Sequence, residues 1–246
     1  MNRFKITELG NKVFWLRNTE RDHLVRVLRL KPGDLVVGFD NTGTEYTGVI
    51  KKIEDNSVTC QILETNHPDV EAHTAVYLVT GLTKGERLEG VIQKGTELGM
   101  VGLIPLRTKR SVMKLEGRKA QDRVVRWQRI ASEAAKQSHR VQEPKITEVC
   151  DWQDLVNRLP SGTQWLIPYE EEKVSQRLIY ALNSFDAKFP IAILIGPEGG
   201  FEHSEVTFAQ EKLGAKSVSL GPRILRTDTA ALATLTMVLA HFGDLG

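Results

Sequence analysis

The sequence predicts an α/β protein in which a small β-rich module precedes a larger domain built on a parallel sheet. From residue 74 onward, apolar strand-like runs alternate with helical segments, and this alternation is typical of parallel sheets covered by helices on both faces. The first 70 residues instead hold short strand-like runs, tight turns and one helix, which favours a small barrel. The predicted domains are therefore residues 1–70 and 74–246, joined by a polar, proline-containing linker.

One helix is predicted in the N-terminal module. It is expected to begin at Thr19, which can cap it, and to place Leu24, Val27 and Leu28 on one side. The Lys-Pro-Gly-Asp stretch at 31–34 ends this helix and turns the chain. Three strand-like runs separated by turn residues then follow at 35–39, 45–53 and 57–63.

Regular alternation of elements is predicted for the second domain. The expected strands are 76–82, 103–106, 165–168, 191–195 and 217–220, and the expected helices are 84–98, 118–138, 204–213 and 229–242. Asp228 is expected to cap the last helix. That helix is almost wholly apolar, so it must be buried.

Two glycine-proline loops are the most informative feature of the second domain. GPEGGF at 196–201 and LGPRILR at 220–226 each follow an apolar strand-like run and precede a helix. Two such units on neighbouring parallel strands would bring the loops together at the carboxyl ends of the strands, where open α/β sheets bind ligands. The glycines could also serve tight turns alone.

The chemistry of these loops disfavours a phosphate ligand. Neither loop ends in Gly-Lys-Ser/Thr, so neither is a nucleotide P-loop. Glu198 places a negative charge inside the first loop, where it would repel a phosphate. A cationic or neutral ligand is therefore expected.

The distribution of charge points to a polyanionic partner. The net charge is only +2, yet residues 107–145 carry twelve Lys/Arg against four Asp/Glu, and residues 3–31 carry eight against three. Two basic segments in an otherwise acidic chain suggest RNA, although solvated helix faces are the commoner fate of charge runs. The candidate phosphate contacts are Arg26, Arg29, Arg110, Arg123, Arg126 and Arg140.

A polar helix face adds to these RNA-contact candidates. Glu133, Gln137 and Arg140 are spaced four and three residues apart, so all three are expected on one face of the predicted helix. This face could be merely solvated or could meet substrate RNA.

Five motifs in the same order resemble the RsmE family of ribosomal RNA methyltransferases, which belong to the knotted SPOUT class. Two of these motifs are the glycine-proline loops. The other three are KGTELG at 94–99, EAAKQSHR at 133–140 and HLVRVLRL at 23–30. Thr83 and Lys136 depart from the family pattern, which commonly has a proline and an acidic residue at these positions. Neither position is expected to be catalytic.

This resemblance implies a fold and an activity. The fold would be a PUA-like RNA-binding domain followed by a knotted SPOUT methyltransferase domain, acting as a cytoplasmic homodimer. The activity would be transfer of a methyl group from S-adenosylmethionine to N3 of a uridine in 16S ribosomal RNA, on the small ribosomal subunit. The residues implied in cofactor binding are Leu194, Gly196, Gly199, Leu220, Gly221, Ile224, Leu225, Thr227 and Thr229.

Two residues are the catalytic candidates for such a reaction. N3 of uracil carries a proton and is not nucleophilic until it loses it, so the site must supply a base or a positive field. Arg226 could stabilise the anion as it forms, or could be an ordinary surface arginine. Glu198 could take the proton, or could favour the cationic sulfonium electrostatically.

Other classes of function are less well supported. Cys60 and Cys150 are far apart, and the sequence has no metal-ligand spacing, so no metal is expected. The opening residues lack the apolar core of a secretory signal, and the longest apolar stretch, 230–240, is too short to span a bilayer. Two alternatives remain: a non-catalytic RNA-binding factor in ribosome assembly, and an α/β enzyme acting on a nucleotide or another small metabolite.

Overall fold

The chain divides into two compact units. A computed structural model describes residues 1–113, 115–172 and 176–246. The first unit comprises Met1–Glu71 and Ala135–Glu143, and the second comprises Ala72–Ala134 and Pro144–Gly246. The division after residue 71 lies next to the predicted one, but the return of residues 135–143 to the first unit differs from the prediction of two consecutive domains.

The first unit is built on a six-stranded sheet. Its strands pair in the order β1-β4-β5-β6-β3-β2, and only β1 and β4 are parallel. The strands are β1 Asn2–Lys5, β2 Glu8–Gly10, β3 Val13–Arg17, β4 Leu35–Phe39, β5 Glu45–Ile53 and β6 Ser57–Asn66.

The two outer strands of this sheet are adjacent in sequence, so the sheet must curl back on itself. Between β1 and β2, the Ile6 N–H donates to Phe39 O at 2.9 Å and the Thr7 N–H donates to Trp15 O at 3.0 Å. The linking residues thus bond to β4 on one side and to β3 on the other. A core containing Phe4 and Phe14 fills the interior.

The helix of this unit differs from the prediction. A short helix α1, Asn18–Asp22, runs directly into a π-helical turn, His23–Val27, and no side chain caps it. Leu24 is fully buried, but Val27 is 67 % exposed. The prediction that Val27 shares the buried side is wrong because a π turn takes more residues than an α turn, which rotates the following side chains.

Two buried ion pairs lie within the first unit. Lys136 Nζ lies 2.5 Å from Glu20 Oε1. Arg140 donates through Nε and Nη2 to Glu71 Oε2 at 2.9 and 2.6 Å. Both cations come from the segment 135–143, so these pairs hold that segment to the rest of the unit.

The second unit is built on a six-stranded, fully parallel sheet in the order β12-β10-β11-β7-β8-β9. The strands are β7 Val76–Gly81, β8 Gly102–Leu106, β9 Lys145–Ile146, β10 Gln164–Pro168, β11 Ile191–Ile195 and β12 Lys216–Val218. The helices are α2 Arg87–Leu98, α3 Gly117–Gln137, α4 Trp152–Leu155, α5 Leu178–Leu182, α6 His203–Leu213 and α7 Thr227–His241. The α/β class is confirmed.

Helices cover both faces of this sheet, and alternate strand residues enter two separate cores. On one face, Leu78 and Ile193 pack with side chains from α2, α3, α5 and α7. On the other face, Val79 and Leu194 pack with side chains from α4 and α6. The sheet is therefore a rigid support whose strand ends carry the exposed loops.

One predicted neighbour relation in the sheet is wrong. The strands before the two glycine-proline loops, β11 and β12, are not adjacent, because β10 pairs with both of them. The two loops still leave the same edge of the sheet, since every pairing is parallel. The loop that follows β10 is placed between them.

The terminal helix also starts differently from its prediction. It begins at Thr227 rather than Thr229, Arg226 is the N-cap residue, and no side chain caps the helix. Asp228 therefore lies in the first turn and not at the cap. None of the described helices combines the length and apolarity needed to cross a membrane.

A carboxylate near the C-terminus fastens the end of the chain to the start of β7. Asp244 accepts hydrogen bonds from the backbone N–H groups of His73 at 2.6 Å and Thr74 at 2.9 Å. Its side chain is 3 % exposed. Burial alone would raise the pKa of Asp244, but the hydrogen bonds from Thr74 and His73 outweigh burial and lower this pKa below its usual 3.8.

We predict that Asp244→Ala destabilises the protein by about 1–3 kcal/mol at neutral pH, because it leaves two backbone donors without an acceptor. Since the pKa is lowered on folding, this contribution is present above the pKa of the unfolded chain and is lost as pH falls through the folded value. Urea unfolding of both proteins at pH 7 and in acid checks this. A stability difference that stays constant below pH 3.8 would contradict it.

Candidate functional site

A cavity of about 390 Å³ opens at the carboxyl edge of the sheet in the second unit. Three loops line it: 168–170 after β10, 195–201 after β11, and 219–227 between β12 and α7, with Arg87 and Ala230 at its margin. The crevice outside the carboxyl ends of parallel strands is the usual ligand position in α/β sheets. Its volume lies within the range of about 300–1,000 Å³ found for small-molecule sites.

Close backbone packing fixes the loop after β11. A Cβ added to Gly81, at the end of β7, would lie 2.6 Å from Pro197 Cδ and 2.7 Å from Pro197 N. A Cβ on Gly196 would lie 3.0 Å from backbone atoms of Gly200 and Phe201. The loop therefore folds tightly over the end of β7. A side chain at Gly81 would force Pro197 to move, and a side chain at Gly196 would require a smaller shift of the loop backbone.

Hydrogen bonds from two other segments hold the same loop. The Arg110 guanidinium donates from Nη1 to Gly199 O at 2.9 Å. The buried carboxylate of Glu205, at the start of α6, accepts from the Lys109 N–H and from Trp152 Nε1, both at 2.9 Å. The start of α6, directly after this loop, is thus joined to the segment around residue 109 and to Trp152.

The carboxylate inside this loop is already engaged. Glu198 Oε1 accepts from the Lys84 N–H at 3.0 Å and from Arg87 Nη1 at 3.3 Å. The Glu198 side chain is 26 % exposed. Its negative charge is therefore partly balanced by Arg87, and the bond to Lys84 ties the loop to the segment that follows β7.

The loop after β12 presents cations and an apolar side chain. Gly221 has φ of +109°, a conformation that favours glycine. Arg223, Ile224 and Arg226 follow it, and all three are exposed. Ile224 is 89 % exposed although it lines the cavity.

The loop after β10 contributes an acidic wall. Tyr169 and Glu170 both line the cavity. Burial raises the pKa of the Tyr169 phenol to about 12, and a hydrogen bond to Glu171 together with the negative charges of Glu171 and Glu170 adds to the rise. Tyr169 is therefore a hydrogen-bond donor at neutral pH and not a base.

Most of the predicted cofactor and catalytic residues line this one cavity. They are Gly196, Glu198, Gly199, Leu220, Gly221, Ile224, Leu225, Arg226 and Thr227. Two predicted residues do not. Leu194 is fully buried in the sheet core, and Thr229 is exposed on α7 outside the lining.

The predicted RNA-contact residues are divided between the units. Arg26 and Arg29 are exposed in the first unit, and Arg110 is exposed in the second. Arg26 Nε lies 3.6 Å from Asp22 Oδ1, an interaction that leaves it accessible. Arg29 adopts a left-handed φ of +53°.

Two further predicted RNA contacts are tied to a carboxylate of the second unit. Arg123 Nη1 and Arg126 Nη2 lie 3.1 and 2.7 Å from the oxygens of Glu89. The Glu89 carboxylate is mostly buried, whereas both guanidinium groups are partly exposed. These arginines join α3 to α2, so their charge is not wholly available to RNA.

Arg140 is not available to a phosphate. It is 3 % exposed and is bound to Glu71. The expectation of a shared helix face also fails for Arg140, because α3 ends at Gln137 and His139 turns the chain with φ of +63°. Glu133 and Gln137 do lie on α3, four residues apart, and both are exposed.

Arg87, Tyr169 and Glu170 are polar lining residues that sequence reasoning missed. A signal for the last two was available, since residues 164–168 form an apolar strand-like run, and polar residues after such a run belong at the same sheet edge. Arg87 could not have been found in this way, because its position depends on the pairing with Glu198.

The fold and site define a class of RNA-modifying enzyme. Residues 70–239 match the RNA methyltransferase domain family, and residues 16–63 match the RNA methyltransferase PUA domain family. The chain belongs to the RsmE family, ribosomal RNA small subunit methyltransferase E, as its motifs indicated.

Individual relatives extend over nearly the whole chain. The Bacillus subtilis protein of that name is 36 % identical over 92 % of this chain and 89 % of its own length. The Mesomycoplasma hyopneumoniae protein is 32 % identical, over 96 % of this chain and 98 % of its own. A crystal structure of the Neisseria gonorrhoeae enzyme bound to S-adenosylmethionine has a TM-score of 0.86 and 28 % identity, with 99 % of both chains covered.

We predict that Gly81→Ala destabilises the second unit by about 1–3 kcal/mol, because the added methyl group must displace Pro197. Gly90→Ala is the matched control. Gly90 lies inside α2, and a Cβ there meets no atom within 4 Å. This second substitution should raise stability by about 0.5–1 kcal/mol. Chemical denaturation of the three proteins checks both signs; equal stability of the Gly81 variant and the unmodified protein would contradict the close packing.

Proposed function

We propose that this chain transfers a methyl group from S-adenosylmethionine to N3 of a uridine in 16S ribosomal RNA of the small subunit. Its membership of the RsmE family supports the reaction class. The observation that carries the assignment is the cavity, in which two glycine-proline loops and the loop after β10 meet at one sheet edge. The glycines of the two glycine-proline loops have no side chain to cover their backbone groups, which suits a ligand recognised by backbone hydrogen bonds.

The residues present fit the methyl donor. The glycine positions let the backbone approach a ligand closely, and Gly196, Gly199 and Gly221 all line the cavity. The backbones of Leu220, Ile224 and Leu225 would hold the adenine and methionine parts, while Gly196 and Gly199 would border the ribose and sulfonium. When bound, the cofactor supplies an electrophilic methyl group on a cationic sulfur.

Arg226 is proposed as the residue that activates the target nitrogen. It is exposed on the cavity lining, at the N-cap of α7. A guanidinium beside O2 or O4 of uracil would lower the free energy of the imide anion and so favour loss of the N3 proton. The exposure of Arg226 leaves it free to meet a polynucleotide at the mouth of the cavity.

Glu198 is proposed to position the loop and not to accept the proton. Its Oε1 already takes hydrogen bonds from Lys84 and Arg87. Both donors belong to the segment after β7, so the carboxylate is directed to that segment. This engagement favours a role in holding the loop, with the charge acting electrostatically on the sulfonium, over the role of proton acceptor.

Binding of RNA is proposed for exposed cations of both units. Arg26 and Arg29 in the PUA-related unit and Arg110 in the second unit are accessible. Such contacts would set position and affinity more than sequence choice. Glu133 and Gln137 offer exposed polar groups on α3 for the same role.

The resemblance to the family also supports a homodimer, a knotted SPOUT arrangement and a cytoplasmic location. α7 buries one side in the core through residues such as Leu235 and Val238, while Met237 is 44 % exposed. The knot and the dimer stay predictions.

We predict that Arg226→Ala keeps cofactor binding within a few-fold but lowers methyl transfer by about 100-fold or more, the usual effect of removing one such donor. Because the lost contribution is acidification of N3, the defect should shrink as pH rises. Calorimetry measures cofactor binding, and labelled-methyl transfer onto unmodified small subunits, followed by nucleoside analysis, measures activity.

Arg223→Ala is the matched control, since Arg223 is an exposed arginine of the same loop. It should retain most of the transfer. Full activity of the Arg226 variant would remove Arg226 from this role. Tight RNA binding without any cofactor binding by the unmodified protein would favour a non-catalytic assembly factor instead.

A further inference from the structure

The cavity contains a second carboxylate, Glu170, which the proposed chemistry does not use. Glu170 follows β10 and lies between the two glycine-proline loops because β10 pairs with both β11 and β12. Its carboxylate leans against the loop after β11, since a Cβ placed on Gly200 would lie 2.4 Å from Glu170 Oε1. The side chain therefore forms part of the cavity wall.

The arginines in and near the cavity either bind groups other than Glu170 or lie in a different loop. Arg87 is directed to Glu198, and Arg110 is directed to Gly199 O. Across the described part of the chain, no donor or cation contacts the Glu170 carboxylate. Arg223 and Arg226 lie in the loop after β12.

The electrostatic consequence is visible at a neighbouring side chain. Burial is the largest cause of the raised pKa of Tyr169, the negative charges of Glu171 and Glu170 add to it, and the positive charge of Arg110 opposes it. The gain of a negative charge by a group at this wall is thus disfavoured. By the same Coulombic rule, a group that carries a positive charge is favoured there.

We propose that Glu170 is a specificity-determining residue that selects the cationic methyl donor over its neutral, demethylated product. This inference rests on the proposed use of S-adenosylmethionine. The donor carries a positive charge on sulfur, and the product, which has lost the methyl group, carries none there. A carboxylate in the cavity wall therefore stabilises the bound donor. It does not stabilise the demethylated product in the same way.

The competing role for Glu170 is that of proton acceptor for N3 of the target base. The position of Glu170 against Gly200 favours charge selection if, as proposed, the glycines of this loop border the sulfonium end of the donor. A proton acceptor would have to face the target nucleotide. The two roles give different results when the charge is removed.

Calorimetry with the full-length protein tests the proposal, using S-adenosylmethionine and its demethylated product, S-adenosylhomocysteine, as separate ligands. Glu170→Gln removes the charge and keeps the shape. Its Kd for the donor should rise about tenfold, and its Kd for the product should change by less than about twofold. Glu170→Asp should retain most of the preference.

Glu211→Gln is the matched control, because it removes the same charge from an exposed position on α6 outside the cavity. It should leave both affinities unchanged. Thermal unfolding of each variant establishes that it is folded before binding is measured.

The outcomes separate this inference from the proposed function. If the unmodified protein binds neither ligand, the proposed function fails. If it binds the donor and Glu170→Gln weakens both ligands equally, or neither, charge selection by Glu170 is overturned. Unchanged donor binding with loss of methyl transfer would assign Glu170 the proton-acceptor role and would also overturn the proposal.

Discussion

The site depends on the insertion of β11 between β7 and β10. Both pairings are parallel, so the loops after β7, β10 and β11 leave the same edge of the sheet. The side chains of β11 are buried on both faces, which opposes a slip in register, because a slip by one residue would move each side chain into the opposite, differently shaped core. The close approach of Pro197 to Gly81 then fixes the loop after β11 against the end of β7. The geometry of the cavity is thus a consequence of strand packing.

The motifs and the order of elements were predictable because they depend on local pattern. The apolar runs of β7, β8, β10 and β11 and the amphipathic face of α3 are visible in the sequence and are confirmed. The strands β1 to β3 were missed, since they are short and mix polar with apolar residues. Strand adjacency was misjudged because it is a tertiary property. The predicted neighbours β11 and β12 are separated by β10, and the sequence of neither loop indicates that another strand lies between them.

Charge counting along the chain overstated the surface available to RNA. Glu89 takes up part of the charge of Arg123 and Arg126, and Glu71 binds Arg140. These carboxylates lie 34, 37 and 69 residues from their partners in sequence, so counting charges within one segment does not pair them. Lys136, which departs from the family pattern, has a buried partner in Glu20. A basic segment is therefore an upper limit on the accessible positive charge until the fold is known.

The polarity of the cavity bears on where the rate acceleration arises. Transfer of a methyl group from a sulfonium to an N3 anion neutralises two opposite charges. A carboxylate near sulfur and a guanidinium near the base would therefore stabilise the charged reactants at least as well as they stabilise the transition state. Uniform or ground-state stabilisation does not lower the barrier of the displacement itself. In the proposed mechanism, Arg226 would then accelerate the reaction only by making the anion more abundant, and Glu170 would act only on which ligand is bound. The remaining acceleration would come from alignment of nitrogen, methyl and sulfur, which the sheet would support by placing the three loops at one edge.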